Sequence, residues 1–374
     1  MHLRILHTAD NHIGLSFSKY PEEVSKRLID ERFEALERLV ATANERNAHF
    51  FVVAGDLFDS LKIDKGQIER AVKILARFEG EYVLVLAGNH DFYEGSDNKL
   101  WKCFTEAAVG TRVLALTSQC VKDFKRDDYH VRFYCCPCPS KHGKDNVIGW
   151  VADEQKSPDC LHIGLAHGNV EGLGLDAEQR YFNMSELDLK AAGLHTWLLG
   201  HIHVPAPAPG TIGRPTYFMP GIHTPDSVKC THPGHAWWIE LESDASCRHE
   251  LLSTGAIRFV RLQREMKQDE DVDRLRRDCG ALSASTTILN LQLSGRLSEE
   301  GMAALQLLLA ELKPAFCDLS HEIGIAQLLD KASIAKRFPE GTVPHALLQA
   351  LLADESNPGD AHLALELINE LQKS

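Results

Sequence analysis

No apolar run in this chain approaches the roughly 20 residues needed to cross a bilayer. No leader is expected either. Met1-His2-Leu3-Arg4-Ile5-Leu6 enters a strand-like segment at once, which leaves no room for a signal peptide and makes a cytoplasmic location the expectation. Positive charge is also in deficit: 40 Lys and Arg stand against 53 Asp and Glu, a formal net charge of −13 at pH 7. That balance argues against gripping nucleic acid through a broad basic surface, and it favours a helper that supplies the grip. A disulfide framework is absent too, because the ten cysteines are scattered and most, such as Cys103, Cys120, Cys160 and Cys317, lie within apolar segments. They read as thiols of a reducing compartment. The run Cys135-Cys136-Pro137-Cys138 contains a CxxC but has no second ligand pair, and Pro139 disfavours a redox-helix start. It reads as a strand end and turn. Internal repeats and low-complexity tracts are lacking.

What is present is an alternation. Short apolar runs at Leu3–Thr8, Phe50–Ala54, Tyr82–Ala87, Val131–Cys135, Leu161–Ala166 and Thr196–Leu199 have the length and composition of buried strands. Between them, Glu22 to Arg46 places Leu28, Phe33, Leu36, Leu39 and Val40 at helical spacing, and Lys65 to Phe78 repeats the pattern. Strand–helix–strand alternation predicts an α/β layered fold. Beyond Gly200 the texture turns β-rich, with Pro205, Pro207, Pro209 and Pro215 marking turns. A boundary is expected near Ser253-Thr254-Gly255. It separates residues 1–254 from a small α/β module, 255–325, whose helix Ser298 to Leu312 stops at Pro314, and from a helical tail, 326–374.

Five polar clusters follow the strand-like runs in order. They are Asp10-Asn11-His12, Gly55-Asp56-Leu57-Phe58-Asp59, Gly88-Asn89-His90-Asp91, His167-Gly168 and Gly200-His201-Ile202-His203. Carboxyl ends of strands gather at one edge of an α/β sheet, so residues distant in sequence can converge there. Gly55, Gly88 and Gly200 would let the chain turn as each ligand is delivered. The candidate ligands are Asp10, His12, Asp56, Asn89, His167, His201 and His203. Seven such groups suit two metal ions if one carboxylate is shared. Nitrogen and oxygen donors without thiolate favour manganese, iron or zinc over copper or calcium. Two such ions roughly 3.5–4 Å apart can hold a bridging hydroxide and both oxygens of a phosphate, the equipment for attack at phosphorus. His90 is left over to protonate a departing alkoxide, and Asp59 is read as orienting His90 through its second ring nitrogen.

Any one cluster alone would be a turn or a surface loop; the ordered set is specific. His7, His162 and His195 are read as core or supporting residues. The ligand-rich stretch of His223, Cys230, His232 and His235 is read as a solvated loop, and Trp101 and Phe104 as a helical dimer contact.

Asp-x-His, Gly-Asp-x-x-Asp, Gly-Asn-His-Asp, His and Gly-His-x-His together resemble the calcineurin-like metallophosphoesterase superfamily. The opening Leu6-His7-Thr8-Ala9-Asp10-Asn11-His12-Ile13-Gly14, Ala54 to Asp59 and Arg337-Phe338-Pro339-Glu340-Gly341 resemble its SbcD-like DNA repair exonuclease branch. Asn11 departs from the apolar or aromatic residue common there. The resemblance implies a β-sandwich flanked by helices with a smaller α/β capping domain over the nuclease face. It implies that Asp10, His12, Asp56 and His203 hold one ion, and that Asp56, Asn89, His167 and His201 hold the other, with His90 as proton donor. It also implies Mn²⁺, DNA ends as substrate, a homodimer and an SMC-like ATPase partner. The alternative function is hydrolysis of a nucleotide or another small phosphoester, since the same core serves both.

Overall fold

The computed structural model describes residues 2–95, 97–173, 180–242, 246–329, 331–354 and 360–373. The loop Ser356-Asn357-Pro358-Gly359, which the sequence places between the two tail helices Val343–Ala353 and Asp360–Leu371, lies outside them. The chain divides into two compact units, Met1–Arg258 and Phe259–Ser374.

The first unit contains β1 (His2–Thr8), α1 (Glu22–Glu45), β2 (Phe50–Val53), α2 (Lys65–Leu75), β3 (Tyr82–Leu86), α3 (Lys99–Ala108) and β4 (Val113–Leu116). It continues with β5 (Cys120–Lys125), β6 (His130–Cys136), β7 (Leu161–His167), α4 (Glu186–Ala191) and β8 (Thr196–Gly200). β9 (Tyr217–Phe218), β10 (His235–Glu242) and β11 (Cys247–Ser253) complete it. Two sheets form, ordered β11-β10-β1-β2-β3-β4 and β5-β6-β7-β8-β9. β1 to β4 run parallel, as do β6 to β9, so the strand ends that carry the polar clusters point one way within each sheet.

Period-two alternation sorts the side chains into layers. Leu3, Ile5, Phe50, Val52, Leu84 and Leu86 meet Val131, Phe133, Leu161, Ile163, Leu165 and Leu198 between the sheets. The intervening residues Leu6, Phe51, Val53, Val83 and Val85 pack outward against α1, α2 and α3. The far face of the second sheet is covered by α4 and loop residues such as Val147, Phe182 and Met184. The result is the expected sandwich of two sheets flanked by helices. Helix starts follow local chemistry: Asp64 caps α2 by accepting from Gly66 N at 2.8 Å, and Ser185 with Asp188 forms a capping box on α4.

Two expectations fail here. Trp101 and Phe104 are 2% and 0% exposed and sit in the helix–sheet core, so they offer no dimer surface. Their spacing is that of a buried stripe, and Trp101 Nε1 is occupied by the Asp91 carbonyl. The stretch from His223 to His235 is solvated only in its middle, where Lys229 and Thr231 are exposed, while its ends are buried. His223 is fully buried and donates from Nε2 to the Arg32 carbonyl at 3.0 Å.

The second unit holds β12 (Arg258–Met266), which starts at the last residue of the first unit, then α5 (Glu270–Gly280), β13 (Thr287–Leu297), α6 (Glu299–Leu312) and β14 (Asp318–Gln327). The helices α7 (Lys331–Arg337), α8 (Val343–Ala353) and α9 (Asp360–Lys373) follow. Leu289, Leu291 and Leu293 turn one sheet face onto α5 and α6. On the other face Arg261, Asn290 and Ser320 form one hydrogen-bonded row, and Gln263, Gln292 and Glu322 another.

Candidate metal centre

Each sheet of the first unit delivers side chains from its strand ends. Asp10 and His12 follow β1, Asp56 follows β2, Asn89 and His90 follow β3, His167 ends β7, and His201 and His203 follow β8. The backbone is cross-braced where they meet. Asp10 N donates to Gly55 O at 3.1 Å, His12 N to Asp56 O at 3.0 Å, and His201 N to the Asp10 carboxylate at 3.0 and 3.1 Å. Asp10, His12, Asp56 and His201 all take positive φ, a conformation that costs a non-glycine residue of order 1–3 kcal/mol and clusters at functional sites. Gly55 also has positive φ, as the turn argument requires. Gly88 does not; its role is close approach, because a Cβ there would lie 2.2 Å from Asp56 Oδ1.

The seven candidate ligands converge. His12 Nε2 and His203 Nε2 are 3.3 Å apart, and Asp10 Oδ1 is 3.9 Å from His203 Nε2. Asn89 Oδ1 is 3.0 Å from both His167 Nε2 and His201 Nδ1, and Asp56 Oδ2 is 3.3 Å from His167 Nε2. Ligand atoms of Asp10, His12 and His203 lie within 4.8 Å of one another, as do those of Asp10, Asp56 and His167. No cysteine belongs to such a group among the described residues. Cys135, Cys136 and Cys138 are buried at a strand end, and Cys138 Sγ donates to the His167 carbonyl at 3.2 Å.

Electrostatics fit divalent cations. Asp10, Asp56 and His167 are at most 1% exposed, and burying carboxylates in such a place is costly unless positive charge joins them. Burial would raise the Asp56 carboxyl, but His167 and His12 outweigh it and hold it well below the usual range. Burial would depress His167, yet Asp56 overturns that and lifts it to about 9. His167 therefore holds a proton at the place where an ion would be held. Its Nδ1 donates to Ala54 O at 2.8 Å, which leaves Nε2 as the ligating atom. Burial and then the His167 charge lower His201 to about 3, so that ring is neutral and ready to ligate.

His90 lies in the same place, grouped with His12 and Asp56. Its Nδ1 donates at 2.8 Å to the main-chain carbonyl of Asp59. The expected carboxylate contact is thus replaced by a carbonyl one. The Asp59 carboxylate instead stands 3.4 Å from His12 Nδ1, too poorly aligned for a formed hydrogen bond. The tight turn after Asp56 directs the main chain of Asp59 at His90 and its side chain at His12.

Three supporting residues escaped sequence reasoning. Asp91 is buried and accepts from Gly88 N at 2.7 Å and Phe58 N at 3.1 Å, tying two ligand loops together. Burial and the nearby Asp56 charge lift its carboxyl to about 7. Arg32, on α1, donates from Nη1 to Asn11 O at 2.6 Å. Asp226 stands 3.8 Å from His203 Nδ1 and lines a cleft of about 270 Å³ with His203, Val204, Ile222, Lys229 and His232. The last member of the Gly-Asn-His-Asp run was a usable signal for Asp91. Arg32 and Asp226 carried none.

The calcineurin-like phosphoesterase family profile matches residues 3–205. An uncharacterized metallophosphoesterase of Bacillus subtilis, YhaO, is 28% identical over 213 residues, 54% of this chain and 48% of that protein. The DNA double-strand break repair protein Mre11 of Aeropyrum pernix is 26% identical over 258 residues, 65% of this chain and 59% of that one. The chain thus spans about half the length of these curated relatives. Among solved structures, a dimetal phosphatase from Danio rerio covers 68% of this chain at 10% identity and a TM-score of 0.37. With more than half of its length matched by the profile, the chain belongs to the calcineurin-like phosphoesterase family.

Proposed function

We propose that the chain is a two-metal phosphodiesterase that cleaves DNA. The observation that carries this reading is the convergence of buried Asp10, His12, Asp56, Asn89 and His167 with half-buried His201 and His203, and with His90 beside them. One ion would be held by Asp10, His12, Asp56 and His203, the other by Asp56, Asn89, His167 and His201. Manganese is the ion we favour for this mixed nitrogen and oxygen set, with iron or zinc as substitutes. Bound there, the ions would supply Lewis acidity to the phosphoryl oxygens and an activated water.

The protein's own groups do the rest. His90 keeps Nδ1–H on the Asp59 carbonyl, so the proton it gives to the leaving oxygen is the one on Nε2. After transfer the ring is neutral and still held by the same bond. The cleft beside His203 has apolar walls, Val204 and Ile222, and polar groups from Asp226, Lys229 and His232. It suits a substituent carried by the phosphorus.

DNA as substrate is supported by the similarity to Mre11, a DNA double-strand break repair protein. In this reading residues 1–254 are catalytic, residues 255–325 guide the strand, and 326–374 form a helical tail. The open sheet face with Arg261, Gln263, Asn290 and Gln292 offers hydrogen-bonding groups to a polymer. The net charge of −13 then calls for an ATPase partner that brings the DNA.

The test is hydrolysis in excess Mn²⁺ of end-labelled single- and double-stranded DNA beside a small chromogenic phosphodiester, with His90→Ala as control. DNA cleavage that vanishes in the variant supports the nuclease. Turnover of the small diester with DNA left intact, even with an ATPase present, would replace it with a small-phosphoester hydrolase.

A further inference from the structure

A charged residue lies buried behind one half of the centre. Arg32 is 1% exposed, and among the described residues its Nε and Nη2 have no hydrogen-bond partner. Leaving such donors unpaired is costly, so ordinary helix packing would have favoured an apolar side chain. The one bond the guanidinium makes is informative. Nη1 donates to the carbonyl of Asn11, the residue between Asp10 and His12, both of which have positive φ. Arg32 thereby pins a strained turn that presents two candidate ligands at once.

The third ligand of that half is linked to Arg32 through charge, not contact. Asp226 provides its largest compensating charge and faces His203 Nδ1 at 3.8 Å, while Asp59, also among its compensating charges, faces His12 Nδ1 at 3.4 Å. Backbone contacts hold Arg32 in place, because buried His223 donates to its carbonyl and Thr254 Oγ1 donates to the His223 carbonyl. The Phe17 ring lies 5.4 Å from the guanidinium carbon. Asn89, His167 and His201 have no such link to Arg32 among the described contacts. Their side-chain braces run to Ala54, Asp56 and one another, and the one described tie to the other half is the backbone bond from His201 N to the Asp10 carboxylate.

We propose that Arg32 is the positioning residue of one half of the metal centre: its bond to the Asn11 carbonyl holds Asp10 and His12, its charge attracts the Asp226 carboxylate that faces His203, and so its loss weakens one ion and spares the other. The inference rests on the two-metal reading of the site. A metal-ligating histidine oriented by a carboxylate commonly loses 10- to 100-fold in metal affinity when that support is removed, which sets the scale expected here.

The experiment is Mn²⁺ binding to the full chain by equilibrium dialysis and by calorimetry, comparing wild type, Arg32→Met and Arg32→Lys. Wild type should bind two ions. Arg32→Met should bind one at unchanged affinity and the other about 10- to 100-fold more weakly. Arg32→Lys, which keeps the charge and one donor, should recover part of the loss. Pairwise combinations identify the half concerned. Arg32→Met added to His203→Ala should change affinity little further, whereas added to His201→Ala it should have its full effect.

A merely structural arginine would lower the melting temperature while treating both ions alike. Equal weakening of both, or equal coupling to His201 and His203, overturns the proposal. So does two-ion binding at wild-type affinities in both Arg32 variants. If Arg32→Met does not fold, Arg32→Lys and Asp226→Asn carry the same comparison, and absence of selective loss in both overturns it. Wild type binding fewer than two ions would overturn the metal reading and this inference together. Two ions in wild type with no selectivity in the variants would overturn the inference alone.

Discussion

The two units of this chain bury opposite kinds of residue. In Phe259–Ser374 the buried interior is mainly leucine, and the buried polar residues described there are Asp271, Thr287 and His345. In Met1–Arg258 the interior includes Asp10, Asn11, His12, Arg32, Asp56, Asn89, Asp91, His167 and His223. Buried polar groups are expensive unless paired, so a fold built for stability alone would have the second kind of interior. The polar residues of the second unit sit in exposed rows that satisfy one another. Those of the first meet as ligand against ligand, as His12 Nε2 does with His203 Nε2 at 3.3 Å. A site declares itself by polar groups that are buried together and mutually unsatisfied.

The largest effect that could break this contrast is at His90. His90→Gln should lower turnover of a small diester by ~10²–10⁴-fold with Mn²⁺ stoichiometry unchanged. A similar loss from any single substitution on the open sheet face of the second unit would move the chemistry out of the first.

Stability gives the reciprocal test. Leu291 is fully buried, and Leu291→Ala should cost ~2–5 kcal/mol in the second unit. All five tryptophans, at positions 101, 150, 197, 237 and 238, lie in the first. Circular dichroism should therefore register an early transition that tryptophan fluorescence does not, with diester turnover intact. A fluorescence midpoint that shifts in step would mean that the units fold as one.

A smaller contrast comes from two glycines. Gly88→Ala would drive a Cβ to 2.2 Å from Asp56 Oδ1, whereas at Gly324 the nearest atom would be Leu293 O at 3.7 Å. The first change should cost about 1–3 kcal/mol and depress Mn²⁺ binding. The second should stay within about 0.5 kcal/mol. Equal melting shifts would refute the close-packing account of the ligand loops.

These residues also show what was legible in the sequence. The strands and the ligand clusters could be read because each cluster directly follows an apolar run, and parallel strands bring such ends together. Arg32 could not. It stands in Arg27-Leu28-Ile29-Asp30-Glu31-Arg32, where a charge reads as the wet face of α1, and its cover comes from segments distant in sequence, the Phe17 ring and the stretch of His223 and Thr254. His223 was misread for the same reason, since a turn-rich stretch looks solvated until its tertiary cover is known. For Asp59 the spacing to His90 was informative about contact, but which of its groups makes that contact depends on a local turn that no periodicity encodes.

Acid sharpens the comparison last, through the histidines of the first unit. Burial pushes His7 down to about 3 and His235 to about 4, and His223 well below its ordinary 6.5, while His162 is lowered less. These rings are neutral when folded and take up protons on unfolding, so below 6.5 the unfolded chain binds more protons and stability falls as pH falls. The contribution is fully present above the unfolded value and is lost as pH drops towards the folded ones. At about pH 5.5 a fully buried ring such as His7 would forfeit at most about 1.4 kcal/mol. Urea denaturation followed by tryptophan fluorescence should show a midpoint that declines steadily below pH 6.5, and His7→Phe should flatten that decline. Asp91, lifted to about 7, works in the opposite sense and offsets part of the decline, so the comparison is made in Asp91→Asn as well. A midpoint independent of pH in that background would mean that these imidazoles are not held neutral, and the polar interior of the first unit would then be wetter than its packing implies.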